Sequence, residues 1–149
     1  MASKKGWAIQ KEVWQRMPRE FQDIRWKLTK VTENSSTQIP DSPGIYMFCV
    51  SQEYSGLRLQ NPMYIGKAKS IKQRFKSHLK RNEKVKELKR CFRNKLDFCF
   101  LVLPKGTSNE TLRILEQKMI DCYGPQFNEI DSVAISSPLR VTLGDPIEF

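Results

Sequence analysis

The sequence has no apolar run of about 18 residues, no Cys-x-x-Cys pair and a single histidine, His78. The first absence excludes a membrane-spanning helix and argues against a membrane partner, and residues 1–10 lack the apolar segment of a secretory signal. Four scattered cysteines and one histidine do not form a zinc site, so a catalytic metal would need oxygen ligands, which favours Mg²⁺ or Mn²⁺. We expect an intracellular protein of the cytoplasm, nucleoid or nucleus with reduced thiols.

Charge is unevenly distributed along the 149 residues. Lys and Arg number 26 against 16 Asp and Glu, a formal net charge of +10, and residues 67–95 hold 13 basic and 2 acidic residues. A basic block of this kind usually binds a polyanion, most often nucleic acid, through its phosphates. The alternative interpretation of residues 67–95 is a solvated helix face.

Alternating apolar patterns and capping residues predict a small α+β domain. Residues 44–50, 62–66 and 96–103 are rich in aromatic and β-branched residues and predict strands, with the polar residues 51–61 as a connecting loop. Helices are predicted from Ser70, over 83–94 and over 108–123, and two of them begin at a Ser or Thr with a Gln or Glu three residues later. Gly124 and Pro125 end the third helix.

The segments outside this domain carry weaker patterns. Apolar residues recur every three or four positions near the N-terminus and predict an amphipathic helix in a basic extension over 1–38, which Pro18 interrupts or restarts. The polar residues 33–43 predict a linker, and the tail 131–149 contains an alternating stretch at 140–143 that predicts an edge strand.

Three polar positions stand out on the predicted helices. Arg74 and His78 lie four residues apart on one helix, so their side chains are neighbours. Glu116 follows Leu112 by four residues and shares its apolar side, where a carboxylate is costly unless it is paired or binds a metal.

The motifs together resemble the GIY-YIG nuclease family. Gly44-Ile45-Tyr46 and Tyr64-Ile65-Gly66 are the two halves of its signature, residues 66–78 are similar to its arginine helix, and residues 115–128 are similar to its glutamate helix and asparagine. The resemblance covers about residues 39–130. It implies a three-stranded antiparallel sheet flanked by helices, and phosphodiester hydrolysis with one divalent metal.

The resemblance also implies a role for each site residue. Glu116 would hold Mg²⁺, or Mn²⁺, and Arg74 would bind the non-bridging phosphate oxygens. Tyr46 is the candidate general base and Tyr64 would position water or phosphate, or the two exchange roles, while neutral His78 could accept the tyrosine proton. Asn128 would fix the site by hydrogen bonds. The substrate-binding candidates are Gly66, Lys67, Lys69, Lys72 and Lys76.

We expect a metal-dependent DNA endonuclease of the restriction or mobile-element type. Residues 64–78 are similar to the nuclease module of bacterial excision repair, so a repair or structure-specific nuclease is the alternative. A second alternative is an inactive nucleic-acid-binding module that uses the same basic block. A restriction role would require a homodimer or sequential nicking, because one active site cuts one strand.

Overall fold

The structure is a computed structural model that describes residues 4–7, 15–54 and 56–125. The predicted site residue Asn128 and the predicted strand at 140–143 lie outside the described residues, as do residues 8–14 of the predicted N-terminal helix. These three predictions therefore stay predictions.

A single sheet forms the centre of the described structure. Its strands in chain order are β1 (Lys4–Trp7), β2 (Lys27–Lys30), β3 (Gly44–Tyr54), β4 (Leu57–Ala68) and β5 (Leu96–Val102). They lie in the order β1-β4-β3-β5-β2, and β3 pairs antiparallel with both β4 and β5. The predicted antiparallel three-stranded sheet is thus confirmed at its centre, but β1 and β2 extend it to five strands in the described part.

The connection between β3 and β4 differs from the prediction. Residues 51–61 were expected to form a loop because most of them are polar, yet both strands continue through this region and the chain turns near Gly56, whose φ is 81°. The polar side chains there find partners within the sheet. Ser51 donates to the carbonyl of Lys95 at 3.1 Å, and Asn61 donates to the carbonyl of Val50 at 3.1 Å. Buried polar groups with such partners are compatible with strand structure.

The helices lie close to where the sequence predicts them. They are α1 (Arg19–Gln22), α2 (Ile71–Arg81), α3 (Glu83–Phe92) and α4 (Asn109–Tyr123), with 3₁₀ turns at Glu33–Gln38 and Arg93–Lys95. The hydroxyls of Ser70 and Ser108 accept from the backbone N–H groups of Gln73 and Thr111, and left-handed Gly124 ends α4. No helix in the described ranges is long and apolar enough to cross a bilayer.

The predicted N-terminal extension over 1–38 is only partly helical in the described residues. Residues 4–7 and 27–30 form strands β1 and β2, and α1 spans only four residues after Pro18. Proline lacks the N–H that a continuous helix needs, so the apolar stripe cannot continue through it. Its members still reach the core, where Met17 and Phe21 are buried among residues of α4 and the sheet.

Helices cover both faces of the sheet. On one face, Ile71 and Phe75 of α2 and Leu88 of α3 pack against Phe48 and Phe98 of the central strands. The opposite face holds a second apolar cluster to which α4, α1 and strands β3 to β5 contribute. Residues at alternate positions of β3 divide between these clusters, as the two-residue period of a strand requires. Helix α2, which carries Arg74 and His78, is therefore held on the sheet by apolar packing.

A buried carboxylate on β5 contacts side chains of both β4 and the outer strand β2. Asp97 at the start of β5 is fully buried and accepts from Arg58 of β4 at 2.6 Å and from Gln60 at 3.1 Å. Lys30 of β2 lies 3.2 Å from its other oxygen. A buried charge is tolerated only when it is paired in this way, so the three strands depend on one another at this point.

Packing of α2 on the sheet predicts that Phe75→Ala lowers the free energy of unfolding by about 3–5 kcal/mol, because the change removes a fully buried ring and leaves a cavity. Urea denaturation measures the effect. The exposed neighbour Lys76 provides the matched control, since Lys76→Ala should stay within about 0.5 kcal/mol. Similar losses for the two variants would contradict the packing described here.

Candidate active site

The site is built around a tyrosine whose ring occupies the space beside a glycine on the neighbouring strand. Tyr46 of β3 stands directly opposite Gly66 of β4 in the antiparallel register. A Cβ added to Gly66 would lie 2.2 Å from the Tyr46 hydroxyl and 2.3 Å from Cζ, closer than real atoms approach. Gly66, a predicted substrate-binding residue, therefore leaves the space that the ring occupies, and any larger side chain would displace Tyr46.

Tyr64 and His78 complete an aromatic cluster around Tyr46. Tyr64 lies opposite Phe48 on β4, so its side chain is on the same sheet face as Tyr46, and the two rings stack at 6.4 Å. The imidazole of His78 on α2 lies 5.2 Å from the Tyr46 ring and 5.6 Å from the Tyr64 ring. The structure thus brings together three predicted site residues that are up to 32 positions apart in the sequence.

A short hydrogen bond joins Tyr46 and His78. The Tyr46 hydroxyl lies 2.5 Å from Nε2 of His78, and both residues are buried, with relative exposures of 2% and 6%. Burial, together with the nearby positive charge of Arg74, lowers the pKa of His78 to about 4. The imidazole is therefore neutral at neutral pH.

The two tyrosines differ in how suited they are to proton abstraction. Burial raises the pKa of Tyr46 well above its usual value, and the charges of Tyr64 and Glu116 raise it further while Arg74 lowers it. Tyr64 is half-buried, and burial and the charge of Glu116 raise its pKa, an effect that Arg74 and Tyr46 only partly offset. A base must reach its phenolate form and contact water. Tyr64 is therefore the more accessible of the two phenols, and the assignment of the general base stays a prediction.

Arg74 lies at the edge of this cluster in an open groove. Its side chain is exposed, and the groove has a volume of about 410 Å³. The groove is lined by Ala68, Lys69, Ser70, Gln73, Arg74 and Ser77. A guanidinium in this position can donate two parallel hydrogen bonds to a phosphate that enters the groove.

The predicted lysine contacts do not all lie in this groove. Lys69 lines it, but Lys72 and Lys76 do not. Each is two positions from Arg74 on α2, roughly 200° around a helix, and therefore points to the other flank. Lys67 lies on β4, and its charge adds to the effect of Arg113, which is the main cause of the lowered pKa of Glu110 in the first turn of α4.

Glu116 approaches the tyrosines from a different helix. It lies on α4, is half-buried, and its charge raises the pKa values of both Tyr46 and Tyr64. No salt bridge engages its carboxylate among the described residues, which also contain no cluster of three or more metal-ligating side chains. One carboxylate completed by water and phosphate oxygens suits Mg²⁺, which keeps much of its hydration shell.

One residue of the site has no counterpart in the sequence-based prediction. Asn82 lies between α2 and α3, and its side-chain nitrogen is 2.8 Å from Nδ1 of His78. The sequence does contain a signal for it, because Arg74, His78 and Asn82 are spaced four apart and such residues share one side of a helix. The signal was missed because asparagine after a helix usually indicates only a cap or turn.

Comparison with protein families identifies the domain. Residues 42–129 match the family model of the UvrC-like GIY-YIG domain. The UvrABC system protein C of Aquifex aeolicus is 29% identical over 118 residues, and that of Carboxydothermus hydrogenoformans is 33% identical over 90 residues. These matches cover 78% and 60% of this chain, which spans 19% and 13% of the two relatives.

Solved structures similar to this chain include the N-terminal GIY-YIG endonuclease domain of UvrC from Thermotoga maritima. Its form bound to its catalytic divalent cation, magnesium, is 28% identical, with a TM-score of 0.46, and the match covers 64% of this chain and 92% of that one. A point mutant of the same domain with its divalent cation is also 28% identical, with a TM-score of 0.44 and coverages of 62% and 89%.

Burial of neutral His78 predicts a pH-dependent stability. Its pKa of about 4 lies below the unfolded value of about 6.5, so between these pH values the unfolded chain binds a proton that the folded chain does not. The stabilisation is complete above pH 6.5 and is lost as the pH falls to about 4, by roughly 3 kcal/mol at most. Urea denaturation across this range should show a shallower pH dependence for His78→Gln. Equal slopes in the two proteins would contradict the prediction.

Proposed function

Because the chain belongs to the UvrC-like GIY-YIG domain family, we propose that it is a metal-dependent endonuclease that hydrolyses phosphodiester bonds in DNA. The observation that carries the proposal is the convergence of two phenols and one imidazole on one sheet face. The charges of Arg74 and Glu116 act on both phenols of that cluster. Hydrolysis of a phosphodiester needs a base for water, a cation for the phosphate and a group that stabilises the leaving oxygen.

A role of the excision-repair type has better support than a restriction or mobile-element role. The similar curated proteins are both UvrABC system proteins, and the matching family is the UvrC-like branch of the GIY-YIG domains. The spacing of Arg74 and His78 is similar to that in GIY-YIG restriction enzymes, but this pair is the one sequence feature that suggests a restriction role. We therefore propose cleavage of damaged or structurally distorted DNA as the reaction.

Each residue of the cluster has a chemical task in this proposal. Arg74 binds the scissile phosphate from the open groove and neutralises its non-bridging oxygens. Tyr64 removes the proton of the attacking water, because it is the less buried phenol and can contact that water. Tyr46 and His78 lie behind Tyr64 and hold it in position. Asn128 keeps its predicted role in ordering the site.

Glu116 is the residue that would hold Mg²⁺ or Mn²⁺. A bound divalent cation supplies charge neutralisation at the leaving oxygen. The half-buried carboxylate has the hard oxygen ligands that such ions prefer, and no salt bridge within the described ranges engages it.

The basic block at residues 67–95 is the proposed DNA-binding surface. It includes the groove around Lys69 and Arg74 and a second groove of about 390 Å³ that Lys89, Arg93 and Lys30 of β2 help to line. Lysine and arginine at such positions contact the phosphate backbone without reading sequence. An inactive nucleic-acid-binding module would bind DNA through this surface without cleaving it.

Glu116→Gln should abolish Mg²⁺-dependent nicking of supercoiled plasmid DNA, whereas DNA binding stays within about twofold because the basic surface is unchanged. Plasmid containing ultraviolet lesions and undamaged plasmid serve as parallel substrates. Glu110→Gln is the matched control, since Glu110 lies on the same helix but pairs with Arg113 at 2.6 Å. Binding without nicking of either substrate by the wild-type protein would instead support the inactive module.

Tyr64→Phe should reduce the cleavage rate by at least about 100-fold, because it removes the proposed base. Tyr46→Phe should have a smaller effect on the chemical step, since its hydroxyl is buried and has a raised pKa. Single-turnover cleavage at saturating enzyme measures both. A greater loss for Tyr46→Phe than for Tyr64→Phe would return the base to Tyr46.

A further inference from the structure

Asn82 takes part in three hydrogen-bonding arrangements at the junction of two helices. Its backbone N–H donates to the carbonyl of His78 at 3.1 Å and ends α2. Its side-chain oxygen accepts from the backbone N–H groups of Lys84 at 2.9 Å and Val85 at 3.2 Å, and so caps the start of α3. Its side-chain nitrogen lies 2.8 Å from Nδ1 of His78.

The helix cap determines which way the Asn82 amide faces. If the amide were turned over, its NH₂ group would point at two backbone N–H donors, and both hydrogen bonds of the cap would be lost. The oxygen therefore faces α3 and the NH₂ group faces His78. An NH₂ group can only donate, so Nδ1 of His78 must accept and carries no proton.

We propose that Asn82 is a positioning residue that holds neutral His78 in the tautomer with its proton on Nε2. The imidazole then donates to the Tyr46 hydroxyl oxygen across the 2.5 Å contact. His78 cannot accept the Tyr46 proton in this arrangement, which departs from the sequence-based hypothesis that it does so.

The direction of this hydrogen bond also affects the second tyrosine, Tyr64. Because the Tyr46 oxygen accepts from His78, the Tyr46 proton is available to the neighbouring Tyr64. The Tyr64 ring stacks on that of Tyr46 at 6.4 Å, so the second phenol lies beside the first. Asn82, His78 and Tyr46 thus form a chain of donors that ends beside Tyr64, and such a chain would stabilise a Tyr64 phenolate. This consequence, unlike the tautomer itself, rests on the proposed function.

Nitrogen-15 NMR of the imidazole tests the tautomer directly. His78 is the chain's only histidine, so its two ring nitrogens are assigned without ambiguity. At pH 7 we expect a protonated Nε2 and an unprotonated Nδ1 in the wild-type protein. A protonated Nδ1, or an averaged pair of resonances, would overturn the proposal.

Two variants separate the donor from the helix cap. Asn82→Asp keeps an oxygen that accepts from Lys84 and Val85 but replaces the NH₂ donor by a carboxylate, so Nδ1 should become protonated. Asn82→Ser keeps the cap and removes the donor, which should give averaged nitrogen resonances. Urea denaturation confirms that each variant is folded. An unprotonated Nδ1 in folded Asn82→Asp would contradict the proposed role of Asn82.

Cleavage kinetics test the consequence for the reaction. Asn82→Asp should lower the single-turnover rate by about 10- to 100-fold, as when the partner that orients a functional histidine is changed. The rate is measured at saturating enzyme, so that the added negative charge in the basic block does not affect the comparison through weaker DNA binding. A protonated Nδ1 with full cleavage activity would overturn the donor chain. If the wild-type protein cleaves no DNA, the proposed function fails, and the NMR result still decides the tautomer.

Discussion

The active-site geometry depends on the contact between Tyr46 and His78 above Gly66. The ring of Tyr46 occupies the space that a side chain at position 66 would fill, and its hydroxyl reaches Nε2 of His78 on the helix above. This contact joins the central strand pair to α2. Because Phe75 anchors the same helix in the apolar core, the position of the imidazole follows from the packing of the domain.

Burial divides the site into a neutral part and a charged part. Tyr46 and His78 are removed from water, which disfavours both phenolate and imidazolium at neutral pH. Arg74 and Glu116 lie toward solvent, where a phosphate and a hydrated cation can reach them. Tyr64 is half-buried between the two parts, which is why we propose it as the base.

Asn82 shows how a structural cap can also set the chemistry of a neighbouring residue. The backbone N–H groups at the start of α3 need an acceptor, and the side-chain oxygen of Asn82 supplies it. Its NH₂ group is then directed toward His78 as a consequence. Helix formation, which is driven by local sequence, thereby determines the hydrogen-bonding direction of a buried imidazole.

The sequence by itself determined the elements whose signals are local: the capped helices, the apolar strands at 44–50 and 96–103, and the GIY-YIG signature that indicates the family. It could not determine β2 or the continued β3–β4 hairpin, because polar residues there become strand only when partners such as Asp97 and Val50 satisfy them. Tertiary structure alone decided the burial of Tyr46 and its contact with Nε2 of His78. Both depend on the distance between groups far apart in the chain, and a residue pattern carries no such distance.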